Sequence, residues 1–146
     1  MGVAMVIGVA TLALLAVGLL LLRSSIRRWR GRASARLGPG PFVRRSDARS
    51  LGVRSAGVWQ VRGSGSLALS GTELVFAQWV PDRSLRIPRT AIESVDTIGS
   101  HLGKTVGARL LRVRWRADGR EDEIALQVPD LDGWLRDLGA IPGSPT

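Results

Sequence analysis

The chain is 146 residues long and carries 21 Lys and Arg against 12 Asp and Glu, a net charge of +9, with one histidine and no cysteine. Disulfides, thiolate nucleophiles and Cys-ligated metals are therefore excluded, and the lone His101 rules out any site that needs two imidazoles. The length allows one small core beside an anchor, and not two.

Residues 1–22, MGVAMVIGVATLALLAVGLLLL, contain no ionisable side chain. As a helix rising about 1.5 Å per residue they span roughly 33 Å, enough to cross a hydrocarbon core. One transmembrane helix, residues 1–22, is predicted. A cleavable secretory signal has a basic stretch before its apolar run. Here the basic residues follow it, at Arg23, Arg27, Arg28, Arg30, Arg32 and Arg36. Such flanks stay on the cytoplasmic side, so the expected topology is single-pass in the cell (inner) membrane, N-terminus out and C-terminal domain in the cytoplasm.

From Arg23 through Arg62 there are eleven arginines and a single acid, Asp47, whereas from Gly63 onward ten basic residues face eleven acidic ones. The excess charge thus belongs to the juxtamembrane half. GRASARLGPGPFVRRSDARS is rich in Gly, Pro, Ser and Arg and poor in apolar residues, the composition of a segment that cannot bury enough surface to fold alone. Residues 23–56 are accordingly expected to form a basic juxtamembrane segment and linker, flexible over 31–55. Residues 57–142 form one domain, and 143–146 a tail.

Within that domain, Gly57–Gly63 alternates weakly and opens a sheet. Ser66–Ser70 and Glu73–Trp79 flank Gly71-Thr72, a hairpin with Leu69 facing Leu74 and Leu67 facing Phe76, and Gly in the first loop position suits a type II′ turn. Leu85–Ile87 is a short strand closed by Pro88, and Ala91–Ile98 another. Leu110–Ala117 and Arg120–Val128 flank Asp118-Gly119, a strong hairpin signal. A two-residue loop sets Arg116 opposite Glu121 and Arg114 opposite Glu123 outside, with Val113 on Ile124 and Leu111 on Leu126 inside. Asp122 opposite Trp115 is the misfit, which a slightly longer loop relieves. Last, Asp130 caps a helix whose Leu131, Trp134, Leu135 and Leu138 form one apolar stripe, ending at Gly139.

GSLALSGTELVFAQW, LRIPRTAIESVDTI, LLRVRW and DLDGWLRDL, in that order, resemble the strands and closing helix of bacterial pleckstrin-homology-like (PH/GRAM-like) domains over residues 57–141. The resemblance implies a mainly β (α+β) fold, a PH-like antiparallel barrel or sandwich of six or seven strands capped by a C-terminal amphipathic helix. It also implies that Trp134 packs on the sheet and does no chemistry. Phosphoinositide-binding members carry a basic cluster between their first two strands, and in Arg62-Gly63-Ser64-Gly65 only Arg62 is basic. A specific headgroup site there is not expected.

IGSHLGKTVGARLL contains Gly103-Lys104-Thr105, the ending of a phosphate-binding loop, but the required first glycine falls on Ile98, and the residues after it alternate like a strand where a helix is needed. No catalytic, cofactor-binding or metal-binding residue is assigned. Glu121-Asp122-Glu123 lacks the spacing of a calcium loop and is better explained by partners on Arg114 and Arg116. Anionic phospholipid headgroups are the expected contact of Arg23, Arg27, Arg28, Trp29, Arg30, Arg32 and Arg36, since each basic residue near an acidic surface adds about 1 kcal/mol of attraction and indole favours the headgroup zone. Nucleic acid is not expected, because the folded part is near neutral. Trp79, Lys104 and Arg109 are candidate loops for a membrane or cytoplasmic protein partner. The reading is a membrane-anchored binding or scaffolding module and not an enzyme; the alternative is a membrane-tethered enzyme or nucleotide-responsive regulator using the Gly99–Thr105 loop.

Overall fold

A computed structural model of the protein describes residues 2–55 and 61–139. Helix α1, Gly2–Arg36, runs unbroken for 35 residues. Among the described residues, one helix is thus long and apolar enough to span a membrane, and none of its apolar window is buried against them. It stops where the sequence turns to Gly-Pro-Gly-Pro. Gly38 adopts φ +86°, the left-handed conformation that ends helices cheaply only at glycine, and its N–H donates to the Ala35 carbonyl at 3.3 Å.

Seven strands follow, β1 Phe42–Val53, β2 Arg62–Ser70, β3 Glu73–Gln78, β4 Arg83–Pro88, β5 Ile92–His101, β6 Lys104–Ala117 and β7 Arg120–Gln127, and then helix α2, Leu131–Gly139. They form one antiparallel sheet in the order β4-β3-β2-β1-β7-β6-β5, curled into a half-barrel. The mainly β architecture with an N-terminal helix and a C-terminal capping helix is as the sequence implied. β1 is the hinge of the curl. It pairs with β2 from Phe42↔Ser70 to Leu51↔Arg62, then with β7 through Arg49↔Gln127 and Val53↔Ile124. The register shift between Ser50 and Val53 is taken up at Gly52, φ +113°.

The concave face holds one core drawn from every strand or its immediate flank, including Leu67, Phe76, Ile87, Val95, Val113 and Ile124, with Trp134 and Leu138 of α2 inserted at 0 % exposure. Asp130 caps α2 through Oδ1, which accepts the Gly133 N–H at 3.0 Å. Arg44 of β1 then holds both ends, reaching Asp130 at 2.9 Å and Asp137 at 2.5 Å, while the Trp134 indole N–H donates to Ser46 Oγ at 3.1 Å.

Those contacts explain the main departure from expectation. Residues 42–53, read as flexible linker, are the central strand, and residues 23–36 are helix. On β1 the inward positions are Arg44, Ser46, Ala48 and Ser50: Arg44 and Ser46 meet the acids and the indole of α2, and Ser50 accepts the Gly52 N–H at 3.1 Å, so the apolar alternation that announces a strand is missing. The sheet begins at Phe42, not at 57. The expected opening strand falls largely on 57–60, outside the described residues, and Arg62–Gly65 is strand β2 and not an interstrand loop.

Both predicted hairpin registers hold: Leu69↔Leu74 and Leu67↔Phe76, and Leu111↔Leu126, Val113↔Ile124, Arg114↔Glu123 and Arg116↔Glu121. Two turn details differ. Gly71 has no positive φ, so the turn is not type II′; instead Ser70 Oγ accepts the N–H groups of Thr72 and Glu73 at 3.2 and 3.1 Å. The second loop keeps two residues, Asp118 and Gly119, both at positive φ. Asp122 is relieved from elsewhere, accepting the Ser55 N–H at 3.1 Å and the Ser55 hydroxyl.

Candidate functional site: the junction of α1 with the sheet

The last turns of α1 lie on the convex face of β2 and β3. Ala33 and Leu37, four residues apart and so on one helix face, are buried against Ala68, Val75 and Ala77, with Phe42 and Trp79 at the margin. Alanines on both sides let the helix backbone come close. Arg36 then ties the helix to the turn between β3 and β4, donating to the Gln78 carbonyl at 2.7 Å and the Arg83 carbonyl at 3.0 Å and pairing with Asp82 at 2.6 Å. Arg86, itself paired with Glu73, caps the helix by donating to the Arg36 carbonyl at 2.7 Å. A cation at the helix C-terminus also meets the negative end of its dipole. Six residues earlier, Arg30 pairs with Asp47 at 2.8 Å and stacks 4.9 Å over the Trp79 ring, and Arg45 reaches the Ser34 hydroxyl.

The seven expected lipid-contact residues therefore divide. Arg30 and Arg36 are spent on the domain, so the segment is no flexible tether. Arg23, Arg27, Arg28 and Arg32 are exposed and, among the described residues, make no side-chain hydrogen bond or ion pair with the protein. Trp29 is 36 % exposed. Between α1 and the sheet a cleft of about 420 Å³ opens, lined by Arg30, Asp47, Arg49, Ser64, Trp79 and Pro129 among others.

The three candidate partner-loop residues are not brought together. Trp79 follows β3 and sits beneath Arg30, its indole N–H donating to Ser66 Oγ at 3.1 Å. Lys104 and Arg109 lie on β6, with β2, β1 and β7 in between. Arg109 donates to Thr97 Oγ1 at 2.6 Å across the β5–β6 pair. Sequence reasoning missed Asp47 and Arg49 at this junction because it treated them as linker. The signal was available as Ala33 and Leu37 set four apart, continuing the Arg23, Arg27, Arg30 side of the helix toward the domain.

The Gly103-Lys104-Thr105 stretch is a β-hairpin. Leu102 and Gly103, at φ +50° and +74°, make its two-residue loop, and His101↔Lys104 and Ser100↔Thr105 pair behind it. Lys104 starts a strand, so no helix N-terminus faces this turn and the phosphate-cradling geometry is absent from it. His101 is held inside the fold. Its side chain is 2 % exposed, Nε2–H donates to the Gly52 carbonyl at 3.0 Å, and Nδ1 faces Glu123 at 3.6 Å, whose carboxylate also pairs with Arg54 at 3.2 Å. With Ile98 and Val106 covering Leu51, Leu110 and Ala125, the hairpin folds over the convex face as a flap.

The acidic run is consumed by partners. Glu123 takes Arg54 and His101, Asp122 takes Ser55, and Glu121 lies 3.8 Å from Arg116. The arginines of β6 turn instead to β5. Arg112 and Arg114 share Asp96 at 2.5 and 3.3 Å, and Arg116 takes Glu93 at 2.6 Å. The Arg112 hydrogen bond, reinforced by Arg114, holds the Asp96 carboxyl below its ordinary range against the opposing effect of partial burial. The register thus places Arg114 opposite Glu123, but the expected Arg114–Glu123 ion pair is replaced, because each has a nearer partner on its other side.

No protein-family model matches the chain, and no curated protein matches it in sequence.

Proposed function

We propose that the protein is a single-pass membrane-anchored binding or scaffolding module, built on a PH-like domain, that faces the cytoplasm and rests its juxtamembrane arginines on anionic phospholipid. The observation that carries this reading is α1 itself: an apolar, uncharged length on which, among the described residues, nothing of the protein packs, followed on its C-terminal side by arginines of which four have no partner among the described residues. Apolar area of that extent is stable only out of water, and the arginine asymmetry orients it. The strand order β4-β3-β2-β1-β7-β6-β5 and the Trp-bearing closing helix support the PH-like reading. A reporter active only in the cytoplasm, fused to the C-terminus, gives signal, and protease added outside intact spheroplasts spares the domain. A silent reporter together with digestion before lysis puts the domain outside and ends the proposal of a cytoplasmic module.

A further inference from the structure

The geometry points to a binding site for the headgroup of one anionic phospholipid in the cleft between α1 and the sheet, with Arg49 as its principal phosphate contact. This rests on the membrane-spanning reading of α1 and adds a specific place to it.

Arg49 is an outward residue of β1, exposed, and without a side-chain hydrogen bond or ion pair among the described residues. The cleft around it is shallow and open to solvent. Arg49 lines the same cleft as Arg30, Ser64 and Trp79, with Val128 and Pro129 as an apolar wall. Asp47, the single acid there, is neutralised by Arg30 at 2.8 Å, which leaves the Arg49 guanidinium as uncompensated charge. A planar fork of donors beside a hydroxyl and an apolar wall matches an amphiphile with a phosphate at its head.

The position of the cleft favours a lipid as the source of that phosphate. Arg23, Arg27 and Arg30 stand at i, i+4 and i+7, one helix face, and the same face continues to Ser34 and Leu37, which contact the sheet. Arg23 and Arg27 therefore line the approach from the end of the apolar run to the cleft. Arg30 lies seven residues beyond Arg23, about 10 Å along the axis, while the headgroup layer is roughly 5–7 Å deep. Side chains of arginine length bridge the remainder by extending toward the interface. The site is thus at the outer rim of the headgroup layer, on the convex face of the sheet, away from the loop between β1 and β2.

The test uses the full chain in nanodiscs of phosphatidylcholine doped with phosphatidylglycerol, with retained lipid counted by native mass spectrometry after release. Wild type keeps one phosphatidylglycerol in preference to phosphatidylcholine. R49Q weakens that retention about tenfold, as expected for one charge-assisted contact, and R49K recovers part of it. R28Q, which removes the same charge from the far side of α1, changes it less than about threefold, the loss of general surface attraction alone. Equal effects of R49Q and R28Q reduce the site to diffuse electrostatics and overturn it. Inorganic phosphate that displaces the lipid at equal concentration overturns the lipid as ligand. A chain that fails to enter the nanodisc at all defeats the anchoring reading as well, whereas insertion with no effect of R49Q defeats this inference alone.

Discussion

Trp134→Ala tests whether α2 closes the half-barrel. The indole is fully buried among Leu67, Phe76, Ile124 and Leu138, and truncating a buried Trp costs about 3–5 kcal/mol, the lost transfer energy plus the cavity left behind. Two features set where in that range the value falls. Ser46 Oγ loses its indole donor, which raises the cost. The ties from Arg44 to Asp130 and Asp137 remain, so α2 stays in place and cannot collapse freely into the hole. About 4 kcal/mol is a quarter or more of what a domain this size has in total, equivalent to at least about 15 °C of melting temperature. Hydrogen exchange of β6 and β7 amides against urea, on the full chain in mild detergent, measures it without interference from α1. Trp134→Phe keeps a ring in the cavity and loses the hydrogen bond, costing about 1–2 kcal/mol. A loss under about 1 kcal/mol for Trp134→Ala refutes the packing of α2, since no fully buried tryptophan is removed so cheaply.

Gly65→Val destabilises by about 1–3 kcal/mol or more, because a Cβ at this position meets the Ala77 carbonyl at 2.5 Å and the Phe76 ring at 2.6 Å; a neutral unfolding curve refutes the close approach of β2 and β3. Asp96 has a folded pKa below its ordinary 3.8, so its contribution is present above that value and lost as pH falls through the lower folded one; Asp96→Asn removes this part of the acid limb in a stability-against-pH series, and parallel limbs in the two proteins refute the Arg112–Asp96 coupling. Arg36→Ala removes a helix-to-sheet tie made at three points and broadens the distance distribution between spin labels at positions 28 and 84, which stays narrow in the wild type; an unchanged width refutes the clamp.

The β6–β7 hairpin was legible residue by residue because charge and hydrophobicity selected the same register there, and Asp118-Gly119 fixed the loop. β1 was not, and for a definite reason. Its inward side chains Arg44 and Ser46 are chosen by partners far along the chain, Asp130, Asp137 and Trp134, and no local pattern reveals such pairings. The same blindness divided the site. Arg23–Arg36 stood out as a charged block, but charge alone does not distinguish Arg32, which faces water, from Arg36, which is committed to Asp82 and two carbonyls. Where a local signal and a long-range demand conflicted, the long-range one decided.

The unbroken run of α1 into its seat on β2 and β3 makes the span and the sheet one lever. From the end of the apolar stretch to Leu37 is 15 residues, roughly 22 Å of helix, with no glycine-proline break before Gly38. Spans answer a thinner bilayer by tilting, and here a change of 10° displaces the seat sideways by roughly 4 Å and rotates the whole sheet by the same angle. With α1 spanning as proposed, bilayer thickness would be converted into the heading of the domain. On the proposed membrane-spanning reading, a partner would meet the domain at a set height above the lipid and from a restricted range of directions, so encounters would be searched in the plane of the membrane, with a geometry that shifts with the composition of the bilayer.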